Sequence, residues 1–247
     1  PVTMLLSGPA AGVLGAAFMS GLAGFNDILT LDVGGTSTDV SLVENLEPQL
    51  TSNSLVENYP VKTPMLDIAT VASGGGSIAW VDDYGALKVG PQSAGAVPGP
   101  VCYGMGGEEP TVTDANVILG YLNPEYLVGG ELELQAEKSR EVFAEQIAGP
   151  LDLELAHAAY GAHQIAISNM IRAIRAISSE RGRDPRAYTL FAFGGNGPLF
   201  AAGMAKALSM TRIVVPPFPG LFSSFGLLYA DVEHHYSRSM MQVLRDT

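Results

Sequence analysis

The spacing of apolar and polar positions changes period several times along this chain. Residues 8–21 are rich in Ala and Gly and predict a short helix, and ILTLDV (28–33) is an unbroken apolar run that predicts a buried strand. After a Gly-Gly turn, TDVSLV (38–43) alternates as a second strand, so the two predict a hairpin. Shorter strands are expected at 70–72, 77–81 and 86–89, followed by a Pro/Gly-rich loop of roughly twenty residues, long enough to suggest a functional loop. From Thr113 the pattern turns helical: 113–122 with an N-cap at Thr113 or Asp114, then a charged amphipathic helix over 135–148. The longest helix is expected over 153–180, where Leu155, Ala159, Ile167, Met170, Ile171, Ile174 and Ile177 recur mostly at three- and four-residue steps. TLFAF (189–193) is another buried strand, with a helix near 197–208, a strand at 212–215 and a helix near 223–230. Interleaved strands and helices make the class α/β. One domain over 1–247 is expected, strand- and glycine-loop-rich over 1–112 and helix-rich over 113–247.

Composition narrows the function. Of 247 residues 47% are hydrophobic and only 15% charged, which suits a packed core rather than disorder. Thirteen Lys and Arg against twenty-five Asp and Glu leave a net charge of −12, which disfavours nucleic acid as a partner. No apolar run approaches the ~20 residues of a membrane-spanning helix, so no membrane partner is expected. The apolar opening is broken by Gly and Pro and has no basic region before it, so it fails as a signal peptide. The single cysteine, Cys102, rules out an intrachain disulfide framework and a multi-cysteine zinc site; it agrees with a reducing cytosol, and a cytoplasmic location is the expectation. The chain starts at Pro1 with a motif only a few residues in, which reads as part of a longer polypeptide.

The 29 glycines fall in clusters, and two clusters follow strands. In LDVGGTSTDV (31–40) a strand delivers Asp32 to its C-terminal end, and Gly34 and Gly35 make a turn that exposes backbone N–H groups. Thr36, Ser37 and Thr38 add hydroxyls, and Asp39 starts the return strand. Such a turn suits phosphate oxygens, with a carboxylate beside it to hold Mg²⁺ directly or through water. The plainer alternative is a hairpin with polar turn residues. In TLFAFGGNGP (189–198), Gly194, Gly195 and Gly197 would let a flat base lie against backbone at a helix start, or simply make a tight turn.

In this order the two motifs resemble the phosphate and adenosine loops of the actin, Hsp70 and sugar-kinase ATPase superfamily. Longer strings sharpen the likeness: SGPAAGV (7–13), DVGGTSTDVSLV (32–43), PMLDIATVASGGGSIAWVD (64–82), LKVGPQSAGAVPGPVCYG (87–104), PTVTDANVILG (110–120), ERGRDPR (180–186) and FGGNGPL (193–199). Over nearly its whole length the chain resembles the hydantoinase A/5-oxoprolinase family. That resemblance implies a mixed-sheet actin-like (ribonuclease H-like) lobe with a hairpin phosphate loop. It implies ATP and Mg²⁺ as cofactors and phosphoryl activation of a small cyclic amide or imide such as a hydantoin or 5-oxoproline, which is then hydrolysed.

The same family includes the nucleotide-binding subunit of acetone carboxylase, so carboxylation is one rival reading; a non-enzymatic nucleotide-binding module is another. The family also implies an N-terminal ATPase lobe carrying a first phosphate motif, and a hydantoinase B-type partner. Carried across, Asp32 and Asp39 are the catalytic carboxylates, with Asp32 also the metal ligand. Gly34, Gly35, Thr36, Ser37 and Thr38 hold phosphates, and Gly194, Gly195 and Gly197 lie beside the adenosine. Departures occur at Asn196 and Phe200, where relatives often carry Ala and His, and at Ala72, Ser73 and 179–186.

Several residues carry two readings. SGGGS (73–77) is either a second anion nest or a flexible turn, and Asp67 either a pocket residue or a capped loop carboxylate. Arg172, Arg175, Arg181, Arg183 and Arg186 suit a helix C-terminus before a Gly182 cap, or else contact with nucleotide or a partner. Cys102 reads as a small buried hydrophobe before a nucleophile. His157, His163, His234 and His235 lack the spacing of a helical metal pair, and Trp80 and the methionines read as core.

Overall fold

A computed structural model describes residues 6–51, 54–56, 59–62, 64–125 and 132–229. Its central sheet runs in the order Ile213–Val214, Thr189–Phe193, Ile28–Val33, Thr38–Glu44, Glu47–Pro48, with Ile68–Val71 also pairing on the outer edge of Thr38–Glu44. The first three strands are parallel, and Thr38–Glu44 returns antiparallel to Ile28–Val33 as the expected hairpin. A second, two-stranded sheet joins Ser77–Val81 to Leu87–Ser93.

Alternation along the strands explains why the central sheet is covered on both sides. Leu29, Leu31, Val33, Val40, Leu42, Leu190 and Ala192 face one core, packed by the long helix Leu155–Ile177 and by Gly197–Ala207. Ile28, Val43, Phe191 and Phe193 face the other, packed by Ser7–Leu22 and Phe222–Gly226. That second layer is close because its helices cross through glycine: a Cβ on Gly226 would lie 1.8 Å from the Ala11 carbonyl oxygen. A mixed sheet with a hairpin turn and helices on both faces is the α/β architecture expected above.

Three expectations need correction. The helix Val112–Ile118 is capped by Thr111, with neither Thr113 nor Asp114 at its N-cap. Asp114 sits at the third position and completes a capping box with Thr111. The segment 135–148 is an α-helix only over Ala136–Phe143 and continues as a wider π turn over Ala144–Ala148. Trp80 lies at the sheet edge, 41% exposed, with its indole N–H donating to the Gly90 carbonyl at 3.1 Å, and Met105 is exposed too. Met170, Met204 and Met210 are core. Among the described residues no helix is long and apolar enough to cross a membrane.

Candidate functional site

The two glycine motifs meet at one end of the central sheet. Asp32 pairs across the hairpin with Asp39, Asp39 with Thr70 on the next strand, and Asp32 with Phe193 on its other side. Because partners in register share a face, Asp32, Asp39 and Thr70 form a short polar ladder at the mouth of the turn. Like charges directly opposite repel, and both carboxyls are largely shielded from water. Burial first, and then Asp39, raise the Asp32 pKa to about 6; burial also raises that of Asp39. Each carboxylate holds one hydroxyl: Ser223 Oγ donates to Asp32 Oδ2 at 3.2 Å, and Thr70 Oγ1 donates to Asp39 Oδ1. Among the described residues no cation pairs with either.

The turn itself is held open from behind. Gly34 N–H donates to the Ser37 carbonyl at 3.0 Å, whereas the N–H groups of Gly35, Thr36 and Ser37 have no partner among the described residues. Thr36 and Gly35 are exposed, the Thr36 hydroxyl lying 3.4 Å from that of Ser93. Thr38 is buried and its hydroxyl donates to the Ser73 carbonyl, so Thr38 braces the turn from behind.

The SGGGS segment is neither an anion nest nor a flexible turn. It is buried, and the N–H groups of Gly75 and Gly76 donate to the carbonyls of Gly34 and Gly35 at 3.1 and 2.6 Å. A Cβ on Gly74 would lie 2.7 Å from both of those carbonyl oxygens, so only glycine lets this segment back the turn so closely.

On the other side, Gly194 has φ +80° and a Cβ there would come within 2.3 Å of Asp32 Oδ1. Gly195 is exposed and faces Gly220, while Gly194 N–H donates to the Pro219 carbonyl at 2.9 Å. Gly197 is buried at the first turn of its helix and sits against the Leu31 carbonyl, a packing role. Asn196 ties the two motifs together: its N–H donates to the Val33 carbonyl at 2.9 Å and its Nδ2 to the Gly34 carbonyl at 3.1 Å. Between these loops and residues 93–103 lies a cleft of about 310 Å³, lined by Gly35, Thr36, Gly76, Gly95, Ala96, Pro100, Tyr103, Thr113 and Asn196. A groove of about 410 Å³ between Met19 and the 217–225 segment is wholly apolar and offers no chemistry.

The remaining candidates resolve into structure. Arg183 makes a two-point pair with Glu44 at 2.9 and 3.3 Å, Arg181 pairs with Asp67, and Arg186 with Asp184. The first two pairs tie the segment after the long helix to Glu44 of the hairpin strand and to Asp67, the third is local to one turn, and none of these residues lines the cleft. Cys102 is fully buried against Val117 and Leu134, and burial with the Asp114 carboxylate pushes its thiol far above the ordinary range. His163 is buried and kept neutral by burial, with Nδ1 2.8 Å from Asn116 Oδ1; His157 is exposed beside Glu154. His234 and His235 lie outside the described residues. Among the described residues no three His, Cys, Asp or Glu side chains gather as a metal site. The sequence reading missed Ser223, Thr70 and Tyr103 as site residues, and only proximity in the fold reveals the first two.

The hydantoinase/oxoprolinase family model matches residues 1–236. The chain belongs to this family. It is 42% identical over 241 residues to the acetophenone carboxylase gamma subunit of Aromatoleum aromaticum, covering 97% of this chain and 33% of that protein. Among solved structures it superposes on nucleotide-free acetone carboxylase with a TM-score of 0.86 at 34% identity, covering 94% of this chain and 33% of that one. On the ATP-dependent caprolactamase of Pseudomonas jessenii the TM-score is 0.81 at 38% identity, covering 88% and 32%. The chain thus spans about a third of the length of each of these relatives. Within the family pattern, Phe200 is fully buried and stacks on His163 with ring centroids 4.9 Å apart. The side chain at that position belongs to the core and does not reach the turn.

Proposed function

We propose that this domain supplies one side of an ATP site that activates the carbonyl oxygen of a small cyclic amide or imide by phosphorylation, after which water opens the ring. The observation that carries this reading is the uncompensated Asp32–Asp39 pair beside a turn with three unpartnered N–H groups. Two half-buried carboxylates without a cation fit Mg²⁺, which takes hard oxygen ligands and is commonly held by one or two carboxylates, waters and substrate phosphates. When bound there, Mg²⁺ would neutralise charge on the phosphates. The N–H groups of Gly35, Thr36 and Ser37 would receive phosphate oxygens, Gly194 and Gly195 would leave room for the base, and Asp32 and Asp39 would orient the cation or its water. Asn196 would fix the distance between the two loops. A second lobe of the same polypeptide and a hydantoinase B-type partner would complete the enclosure, in the cytoplasm.

The test is ring-dependent release of phosphate from ATP by the full-length protein. Release that no cyclic amide stimulates would sink the reading. The likeness to two carboxylases favours a second reading, in which the same activation serves carbon–carbon bond formation. Incorporation of labelled CO₂ into a ketone, with no ring opening, would select it.

A further inference from the structure

We infer that the apolar face formed by the helix Ser7–Leu22 and the segment 213–229 is an internal interface of a longer polypeptide, covered by an apolar surface of that same polypeptide outside residues 1–247. The inference takes from the function proposed above only the existence of further chain, and none of its chemistry.

This face lacks charge where a surface meeting water would carry it. The chain is 15% charged, yet neither Ser7–Leu22 nor 213–229 contains an Asp, Glu, Lys, Arg or His. Phe18, Leu22, Phe218, Leu221, Leu227 and Leu228 are all exposed, Phe218 at 80%. They surround the apolar groove of about 410 Å³ that Met19, Phe222 and Phe225 floor. The rings of Phe222, Phe225, Tyr229 and Phe18 follow one another at centroid separations of 5.7, 4.9 and 3.9 Å, so the groove and the end of the helix form one surface. A lone exposed apolar side chain is ordinary, whereas a contiguous group of them marks a contact surface. Charge returns at the edge, where Arg212 lies over the Phe25 ring at 5.6 Å. An uncharged centre inside a polar rim is the composition of a protein interface.

The face is also held rigid. The two layers meet through glycine, and a Cβ on Gly15 would lie 2.8 Å from the Gly226 Cα. Phe218 has φ +51°, a conformation unfavourable for a bulky side chain, and sits between Pro217 and Pro219. An aromatic ring fixed in the open loses little freedom when it is covered, which suits an interface anchor.

Length and charge select the occupant. The chain covers 33%, 33% and 32% of the three relatives named above, so in proteins of that length most of the polypeptide lies outside such a domain. The chain before Leu6 and after Tyr229 sets out from this same layer, so further polypeptide meets the face at high effective concentration. A second copy would set two chains of net charge −12 side by side, which opposes self-association. Residues 230–247 would lay Asp231, Glu233, Arg238, Arg245 and Asp246 along an apolar groove. The covered face adjoins the base-side glycines: Gly194 N–H donates to the Pro219 carbonyl at 2.9 Å, and a Cβ on Gly220 would lie 3.7 Å from the Gly195 Cα.

The experiment uses the full-length protein without nucleotide. Hydroxyl-radical footprinting of wild type, corrected for intrinsic reactivity, should oxidise Phe218 and Leu221 at least about tenfold more slowly than Tyr84, which is 96% exposed on a turn of the second sheet. Benzoylphenylalanine is then placed at Leu221 or at Leu228, and an equal mixture of light and ¹⁵N-labelled protein is illuminated. Cross-links should join these positions to residues outside 1–247 of the same isotopic chain. Oxidation of Phe218 at the rate of Tyr84 would overturn the inference, as would the absence of any cross-link, since a benzophenone facing water returns unreacted. Cross-links between light and heavy chains would replace it by self-association, and cross-links into 230–247 by a local contact. Protection that appears only when an ATP analogue is added would make the face part of the nucleotide site. Ring-dependent phosphate release from the same preparation tests the proposed function separately: a protected Phe218 without such release keeps the interface and removes the function.

Discussion

Replacing Asp32 by Asn should make the protein more stable at neutral pH while removing its proposed chemistry. The ordinary aspartate pKa is 3.8 and the folded value is about 6, raised mainly by burial and secondarily by Asp39. A shift of roughly two units at ~1.36 kcal/mol each sets a ceiling near 3 kcal/mol, and partial solvent access reduces this to about 1–2 kcal/mol. Because the folded state binds this proton more tightly than the unfolded state, stability falls as pH rises from about 4 through about 6. Asn cannot ionise, keeps the size, and still accepts from Ser223, so it escapes that loss. Urea denaturation of wild type and variant at several pH values between 4 and 7.5 measures the difference. The variant should be about 1–2 kcal/mol more stable at pH 7, and the gap should close near pH 4. Saturating Mg²⁺ with nucleotide should raise the stability of wild type more than that of the variant. A variant less stable at pH 7, or a gain of equal size at pH 4, would refute the charge argument.

Three further substitutions probe the support around the site. Gly74→Ala places a methyl 2.7 Å from the Gly34 and Gly35 carbonyls; it should lower affinity for an ATP analogue at least about tenfold by moving the turn, read by calorimetry. Asp114→Asn puts an amide where a buried carboxylate accepts from Val101, Cys102, Thr111 and Ser139, and should cost about 3 kcal/mol in urea denaturation. Cys102→Ala should retain most phosphate release and cost about 1 kcal/mol, and the wild-type thiol should resist iodoacetamide at pH 8 until the protein unfolds.

Where the sequence alone is informative, local chemistry and tertiary structure agree. ILTLDV has a single reading because both faces of that strand are buried, so its apolar run needs no alternation. The hairpin follows because two glycines separate it from a second strand-forming run. The helix cap was misplaced because Thr111 and Thr113 are equally good caps locally; the choice rests on Asp114, whose carboxylate also gathers the N–H groups of Val101 and Cys102. Those are long-range partners that no local pattern carries. The same holds for SGGGS: its glycines suggest anion binding until Gly34 and Gly35 are seen to occupy its N–H groups.

The site follows this rule in a sharper form. Asp32 and Asp39 were visible because the hairpin is local, and a hairpin register alone makes them neighbours. Ser223 was invisible because it reaches Asp32 across 191 residues of sequence, from a five-residue helix with nothing distinctive about it. Asn196 stood out only as a departure from the family pattern. In the fold it joins the two glycine turns, so the departure adds a contact between the loops. A side chain that bridges two backbone turns restricts their relative motion, and here both turns border the cleft. If the bridge matters for function, its effect belongs in the coupling between nucleotide and ring. Asn196→Ala should then leave the nucleotide's separate affinity within about threefold and weaken the influence of one ligand on the other. Measuring ring affinity with and without the ATP analogue, in wild type and variant, tests this. Unchanged coupling would reduce Asn196 to packing between two glycine loops.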